Sequence, residues 1–302
     1  MQKKLKIKVI SPSSGVSGAE QILLQGQDLL NDKIILSYSA KIFADPELPF
    51  FAANYENRKN DLIDAITSLD YDIIWVARGG YGAGNLIEDC LDIVPSPNNK
   101  PIIGFSDSTV LHILFNQHYK IPTIHGEGIY SFINKNYKSQ LFKEIFSGET
   151  VKYPLIPFLH SNNNEINAAV SGGNLTMITT LVGTKLHPNF NNKILFLEDV
   201  NEKGYRIHRS LMHLKQSGVL EHVAAMIFGD FSKGDEHIFQ SIEHFCKTQV
   251  SMPCFYVHNI GHGEVNLPIV FGSHSKISNN ILEVTSPFKF EFYSLMQNKH
   301  YL

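Results

Sequence analysis

Short apolar runs alternate along this chain with stretches whose apolar positions recur three and four residues apart. The first run, "LKIKVISPSS", alternates, turns apolar and ends in Pro12 and serines, which predicts a strand and its loop. "EQILLQGQDLLN" has helical spacing, "KIILSYSA" reads as a second strand, and "NRKNDLIDAITSLD" as an amphipathic helix. "YDIIWVARGGYGAG" is a buried strand entering a glycine-rich turn, and "NLIEDCLDIV" continues as a helix. "KPIIGFSD" predicts another strand and "STVLHILFNQHY" another helix. Strands alternating with helices imply right-handed crossovers and a parallel sheet. In such sheets ligands bind beyond the carboxyl ends of the strands, and both glycine-containing turns lie at such ends.

The pattern breaks at residues 148–166, where "GETVKYPLIPFLHSNNNEIN" carries prolines and an Asn cluster. The expected organisation is an N-terminal α/β domain over 1–150, a linker over 151–166 and a C-terminal domain over 167–302. The last contains "SGGNLTMITTLVGT", the strand "KILFLEDV", a helix in "RIHRSLMHLKQSG", the strand "VAAMIFGDF" and short β-like runs. No internal repeat or low-complexity tract interrupts it.

Composition narrows the class. The 302 residues are 43% hydrophobic and 18% charged, ordinary for a globular chain that buries a core. A net charge of −3, with no basic stripe interleaved with aromatics, predicts no nucleic-acid partner. Three widely spaced cysteines, with no C-x-x-C, argue against a disulfide framework and a zinc site. No apolar run approaches the ~18 residues of a membrane helix. The opening "MQKKLKIKVISPSSG" lacks a signal peptide's apolar region. The expectation is a soluble, cytoplasmic protein with no membrane partner.

The candidate chemistry begins at "PIIGFSDSTVLH". A serine on a tight strand-to-helix corner exposes its hydroxyl, and the amides of the following turn face the same spot. Gly104-Phe105-Ser106-Asp107-Ser108 fits G-x-S-x-G except at its last position. Ser106 is therefore either a nucleophile or, with Asp107, a cap for the next helix. Arg78-Gly79-Gly80-Tyr81-Gly82-Ala83-Gly84 also follows a strand, but its glycine spacing is not that of a dinucleotide site. It would present a backbone N–H to an oxyanion, or pack as a plain turn. A serine nucleophile needs a base and the base an orienting acid. Glu198-Asp199 ends an apolar strand, and side-chain alternation lets only one of the two face a given cleft. Among 14 histidines, His262 lies between two glycines in a loop, free to reach a cleft. His258 is four residues earlier, but Gly261 disfavours a helical metal pair, and His112 reads as a packed histidine. Arg78 and Arg206 are candidates for substrate carboxylates, or ordinary surface ion pairs.

Together "SPSSG", "ARGGYGAGNLIEDCLD", "PIIGFSDSTVLH", "TIHGEG", "SGGNLTMITTLVGT", "ILFLEDVNEKGYRIHRSLMHLKQSG" and "GHGEVNLPIVFG" resemble the LD-carboxypeptidases, or muramoyltetrapeptide carboxypeptidases, of the serine-peptidase type. The resemblance covers most of the chain. It implies a parallel-sheet (Rossmann-like) N-terminal domain with a nucleophile corner, a smaller β-containing C-terminal domain, and a homodimer. It also implies a cytoplasmic, cofactor-free enzyme of peptidoglycan recycling that releases the terminal D-Ala of a murein tetrapeptide by cutting an L,D-bond. The triad falls on Ser106, Glu198 and His262, with the amides of Gly80 and Asp107 as the oxyanion hole. Glu127 stands where the family more often has Pro, and His208 where Asp is usual. Relatives in this family cleave peptide-nucleotide antibiotics of the microcin C type, which is the alternative substrate. The alternative from another class is a non-catalytic nucleotide-binding α/β protein using "RGGYGAG" as a phosphate loop.

Overall fold

The structure, a computed structural model, describes residues 4–15, 18–29, 34–43, 46–134, 139–158 and 165–290. In the first half the strands are β1 (Leu5–Ile10), β2 (Ile34–Ser37), β3 (Ile73–Val76), β4 (Ile102–Gly104) and β5 (Thr123–His125). Between and after them run helices α1 (Ala19–Leu29), α2 (Tyr55–Thr67), α3 (Ile87–Cys90), α4 (Thr109–Ile113), α5 (Ile129–Asn134) and α6 (Ser139–Phe146). "NLIEDCLDIV" shrinks to one turn at α3, and α4 continues as a wider π-type turn over Leu114–Tyr119. The second half comprises β6 (Thr150–Pro154), β7 (Ile156–Pro157), β8 (Ile166–Asn167), β9 (Val170–Asn174), α7 (Leu175–Leu181), β10 (Ile194–Val200), α8 (Gly204–Gln216), β11 (Ala225–Ser232), α9 (Ile238–Gln249), β12 (Cys254–Gly261), β13 (Ile269–Phe271), β14 (Ser275–Ser278) and β15 (Ile281–Thr285).

The first sheet runs β2-β1-β3-β4-β5 in parallel and is closed by antiparallel β13. Its order reverses between β1 and β3, the switch point at which such sheets bind ligands. A second sheet, β9-β10-β11-β12, is also parallel and is edged by antiparallel β7. A third, β8-β14-β15-β6, is antiparallel. Part of the stretch expected as a linker is thus strand, because β6 pairs with β15 and β7 with β12; residues 159–164 lie outside the described residues. Conversely, β13, from the second half, completes the first sheet.

Both parallel sheets are covered on both faces, which explains their unbroken apolar strands. In β3, Ile74 and Val76 join one core cluster while Ile73 and Trp75 join the other. In β10, Leu195 and Leu197 pack with α7 and α8, and Ile194 and Phe196 with the opposite cluster. This parity decides below where the carboxylates that end β10 can point.

Candidate active site

Ser106 leaves β4 with φ +61°, in the left-handed region that costs a non-glycine residue about 1–2 kcal/mol. One tight turn, Ser106–Ser108, then feeds α4. A Cβ on Gly104 would stand 2.7 Å from Ser108 Oγ, so the corner requires small residues at both ends. That accounts for Ser108 where G-x-S-x-G has glycine. Neither Ser106 nor Asp107 caps α4: its N-cap position is Ser108, which makes no side-chain cap bond.

The glycine turn after β3 packs directly on this corner. A Cβ on Gly79 would come within 2.8 Å of Ser106 Cβ and 3.1 Å of its Oγ. Gly80 has φ +114°, and a Cβ there would meet Ser14 Oγ at 2.2 Å. Two buried charged groups hold the turn. The Asp107 carboxylate accepts from Ser13 Oγ (2.6 Å) and Ala83 N (2.8 Å), joining the loops after β1, β3 and β4. Burial pushes its pKa up, against those hydrogen bonds and the charge of Arg58. Arg58, 1% exposed, donates to the carbonyls of Pro12 (2.6 Å), Gly82 (3.1 Å) and Ala53 (3.2 Å), and its guanidinium lies 4.1 Å from the centre of the Phe51 ring. Sequence reading missed Arg58. The available signal was its place on the apolar stripe of α2, in phase with buried Leu62 and Ala65.

Glu198 and His262 meet across the second sheet. The Glu198 side chain is fully buried, and His262 Nδ1 donates to its Oε2 in a very short contact. A carboxylate only accepts, so Nδ1 carries the hydrogen and Nε2 of the neutral ring keeps its lone pair. A Cβ on Gly261 would lie 3.0 Å from Glu198 Cβ, so glycine permits this approach. Ser232 Oγ donates to His262 O (2.6 Å) and Gly261 N to Asn266 Oδ1 (2.9 Å), which hold the loop. Burial disfavours the Glu198 charge. The His262 charge and hydrogen bond, with the His125 imidazole nearby, outweigh it and draw the pKa down to about 2. For His262, burial is likewise outweighed by the charge and hydrogen bond of Glu198, with smaller pulls from Asp199 and Glu127, and the pKa rises above 6.5. The Phe105 ring, one residue before Ser106, packs 4.8 Å from the His262 ring, which brings the imidazole to the serine corner.

Asp199 faces the other way, toward the first turn of α7. It accepts from Asn174 Nδ2 (2.9 Å), Thr176 N (2.9 Å), Thr176 Oγ1 (2.8 Å) and Val200 N (2.8 Å). His112 is a packed histidine. Its Nε2 donates to Gly104 O and its Nδ1 accepts from Thr123 Oγ1, both at 2.9 Å. Burial and the charge of His125 lower its pKa to about 3, so it is neutral. His125, unremarked in the sequence, ends β5 fully buried, with Nε2 4.0 Å from Glu198 Oε1.

These contacts set the Gly79–Gly80 turn and, through Phe105, the Glu198–His262 pair against the Ser106–Asp107 corner, a convergent group. Arg78 follows β3, exposed, and donates to Gly15 O (3.2 Å) beside the same turn. Arg206 is exposed on α8, where it pairs with Glu202 (3.5 Å) and Tyr205 rather than with the convergent group. Glu127 is buried, and its carbonyl accepts from Trp75 Nε1 (2.9 Å). His208 packs between α8 and α9 against His244 and Phe245. Among the described residues no cluster of three or more His, Cys, Asp or Glu is placed to hold a metal ion, and no helix is long and apolar enough to cross a membrane.

Residues 7–126 match the LD-carboxypeptidase N-terminal domain and residues 167–277 the LD-carboxypeptidase C-terminal domain. Over 283 residues the chain is 35% identical to a putative carboxypeptidase of Rickettsia conorii, covering 91% of this chain and 88% of that one. It is 29% identical over 251 residues to the murein tetrapeptide carboxypeptidase of Pseudomonas aeruginosa, covering 77% and 81%. The crystal structure of muramoyltetrapeptide carboxypeptidase from Oxalobacter formigenes superposes with a TM-score of 0.79 at 23% identity, over 94% of this chain and all of that one. The microcin C7 self immunity protein gives 0.78 at 18% identity, over 96% and 98%. At these identities the two structures speak to the fold.

Proposed function

Since the chain belongs to the LD-carboxypeptidase family, we propose that it is a serine carboxypeptidase releasing the terminal D-Ala of a murein tetrapeptide by hydrolysing its L,D-peptide bond. The observation that carries this reading is the buried Glu198–His262 pair set against a strained corner that presents Ser106. Neutral His262 takes the hydroxyl proton through Nε2 as Ser106 Oγ attacks the scissile carbonyl. Glu198 holds Nδ1–H and stabilises the imidazolium that results. The tetrahedral oxyanion is received by the amides of Gly80 and Asp107, each contributing on the order of 3 kcal/mol to the barrier reduction. His262 returns the proton to the leaving D-Ala amine. Water, activated by the same imidazole, then hydrolyses the ester on Ser106. Arg78, beside the glycine turn, is the better placed of the two arginines to meet a substrate carboxylate. In this reading the enzyme works in the cytoplasm, as a homodimer, on peptides returned from wall turnover.

The test is mass spectrometry of products after incubation with murein tetrapeptide. Loss of one alanine is expected from the native chain and none from Ser106→Ala, with both proteins folded. Near-native turnover by Ser106→Ala would exclude the serine mechanism. Cleavage of an aminoacyl-nucleotide conjugate, with the tetrapeptide left intact, would move the assignment to the peptide-nucleotide class.

A further inference from the structure

Glu198 carries a second oxygen that the proposed triad does not employ. Oε2 is bonded by His262, whereas Oε1 faces Nε2 of His125 at 4.0 Å. Both side chains are fully buried, and neither Oε1 nor either His125 ring nitrogen makes a hydrogen bond to the described residues. A buried carboxylate is costly unless its charge is paired and its lone pairs are satisfied, and one imidazole satisfies only one oxygen. The polar nitrogen facing the other is Nε2 of His125.

His125 is also held for that purpose. It sits in the first sheet between β4 and β13, in register with Gly104 and Ile269. Its ring is walled by Phe196 and Phe271, each 5.4 Å away, by Phe105 at 6.3 Å and by His112 at 5.9 Å. The titratable groups seen against it are Glu198, from β10, and His112, from α4, while Asp199 and Glu127 also act on His262. His112 is neutral and commits its one N–H to Gly104 O, so it cannot serve the carboxylate. Besides its two imidazoles, Glu198 has the charges of Asp199 and Asp230 nearby, and both are repulsive.

We propose that His125 is a positioning residue whose Nε2–H donates to Glu198 Oε1, so that one buried carboxylate bridges two imidazoles. The inference rests on the reading of His262 as the general base. The 4.0 Å gap closes by rotation about the terminal torsions of either side chain, which are soft. A donor on Oε1 fixes the carboxylate plane and draws negative charge away from Oε2. The carboxylate then holds the His262 proton less tightly than one serving His262 alone, and the imidazole stays available as a base nearer neutral pH.

The variants are His125→Phe, which keeps a flat ring without the donor, and His125→Gln, whose amide places an N–H close to Nε2. Imidazole NMR titration of the free protein reads His262 directly, and kcat/KM against pH on murein tetrapeptide reads it through turnover. In His125→Phe the His262 pKa and the acid limb should rise together by about one unit, which is about tenfold in kcat/KM at a pH on that limb. His125→Gln should return both to within a few tenths of a unit of native, a rescue that mere filling of space would not produce. An unmoved His262 titration in His125→Phe, or a Gln variant that behaves as Phe does, overturns the proposal. Should either variant fail to fold, long-range nitrogen–proton spectra of the native protein decide it. The Nε2–H form of His125 is expected, and the Nδ1–H form overturns the bridge. A native chain that leaves the tetrapeptide intact counts against the proposed reaction alone, because the NMR measurements need no substrate.

Discussion

Exchanging the two adjacent carboxylates for amides separates a group that acts on the imidazole from one that builds a helix start. In Glu198→Gln the shape is kept and the charge lost. Opposite unit charges about 4 Å apart, at an effective dielectric of about 20, interact by about 4 kcal/mol, so stabilisation of the His262 imidazolium falls by roughly that amount. The amide can also donate to Nδ1, which would leave the hydrogen on Nε2 and remove the lone pair that serves Ser106. The two effects together predict a fall in kcat of about 10³–10⁴-fold. In Asp199→Asn the side chain can still accept from Val200 N or Thr176, but its NH₂ must face two of the present donors. The expected cost is about 1–3 kcal/mol of stability, with kcat within about tenfold of native. D-Ala release measured at saturating tetrapeptide, with circular dichroism melts on both variants, makes the comparison. A Glu198→Gln enzyme within tenfold of native, or an Asp199→Asn enzyme that melts normally and is the slower of the two, would refute the assignment of the carboxylates.

Gly80→Ala forces a Cβ to 2.2 Å from Ser14 Oγ at φ +114°, so the turn must move; kcat should fall by about 10²-fold or more, read by the same assay on protein shown to be folded. Arg58→Met strands three buried carbonyls from the loops around the corner and should cost about 3–5 kcal/mol in urea unfolding, with kcat falling more than KM rises. Folded Glu198 titrates near 2 against 4.5 ordinarily, so its contribution to stability is complete above pH 4.5 and is lost as pH falls toward 2; folded His262 titrates above 6.5, so its contribution is complete below 6.5 and is lost as pH rises through its raised pKa. Unfolding free energy should therefore contain a Glu198 component of about 3 kcal/mol at pH 6, and a pH series of urea titrations should show that component missing from Glu198→Gln. The raised His262 pKa also places the acid limb of kcat/KM above pH 6.5, and a midpoint below it would contradict the pairing.

Local pattern carried much of the fold. Four-residue apolar runs such as "IIWV" can be buried on both faces only in a covered parallel sheet, and the helices between them supply the cover. The corner at Ser106 was legible for the same reason: strand, glycine, serine and helix follow one another within a few residues. Elsewhere the local signal was ambiguous or silent. "YPLIP" reads as a loop because of its prolines, yet it forms edge strands β6 and β7, whose partners lie about 100 residues or more onward in the chain. The choice between Glu198 and Asp199 was open by alternation alone. It is decided by Asn174 and Thr176 at the start of α7 on one side and by His262 on the other.

The sequence by itself determined the alternation of strands and helices, the serine corner, the glycine turn, and a short set of acid and base candidates. These depend on steric and hydrophobic preferences that act over a few residues. Tertiary structure alone decided that His262 reaches a carboxylate 64 residues away, that Asp199 belongs to a helix start, and that Arg58 and His125 stand beneath the site. Those outcomes follow from which strands and helices, distant in the chain, come to lie side by side. A buried charge is tolerated only where distant elements bring its partners, and no local preference records where that will be.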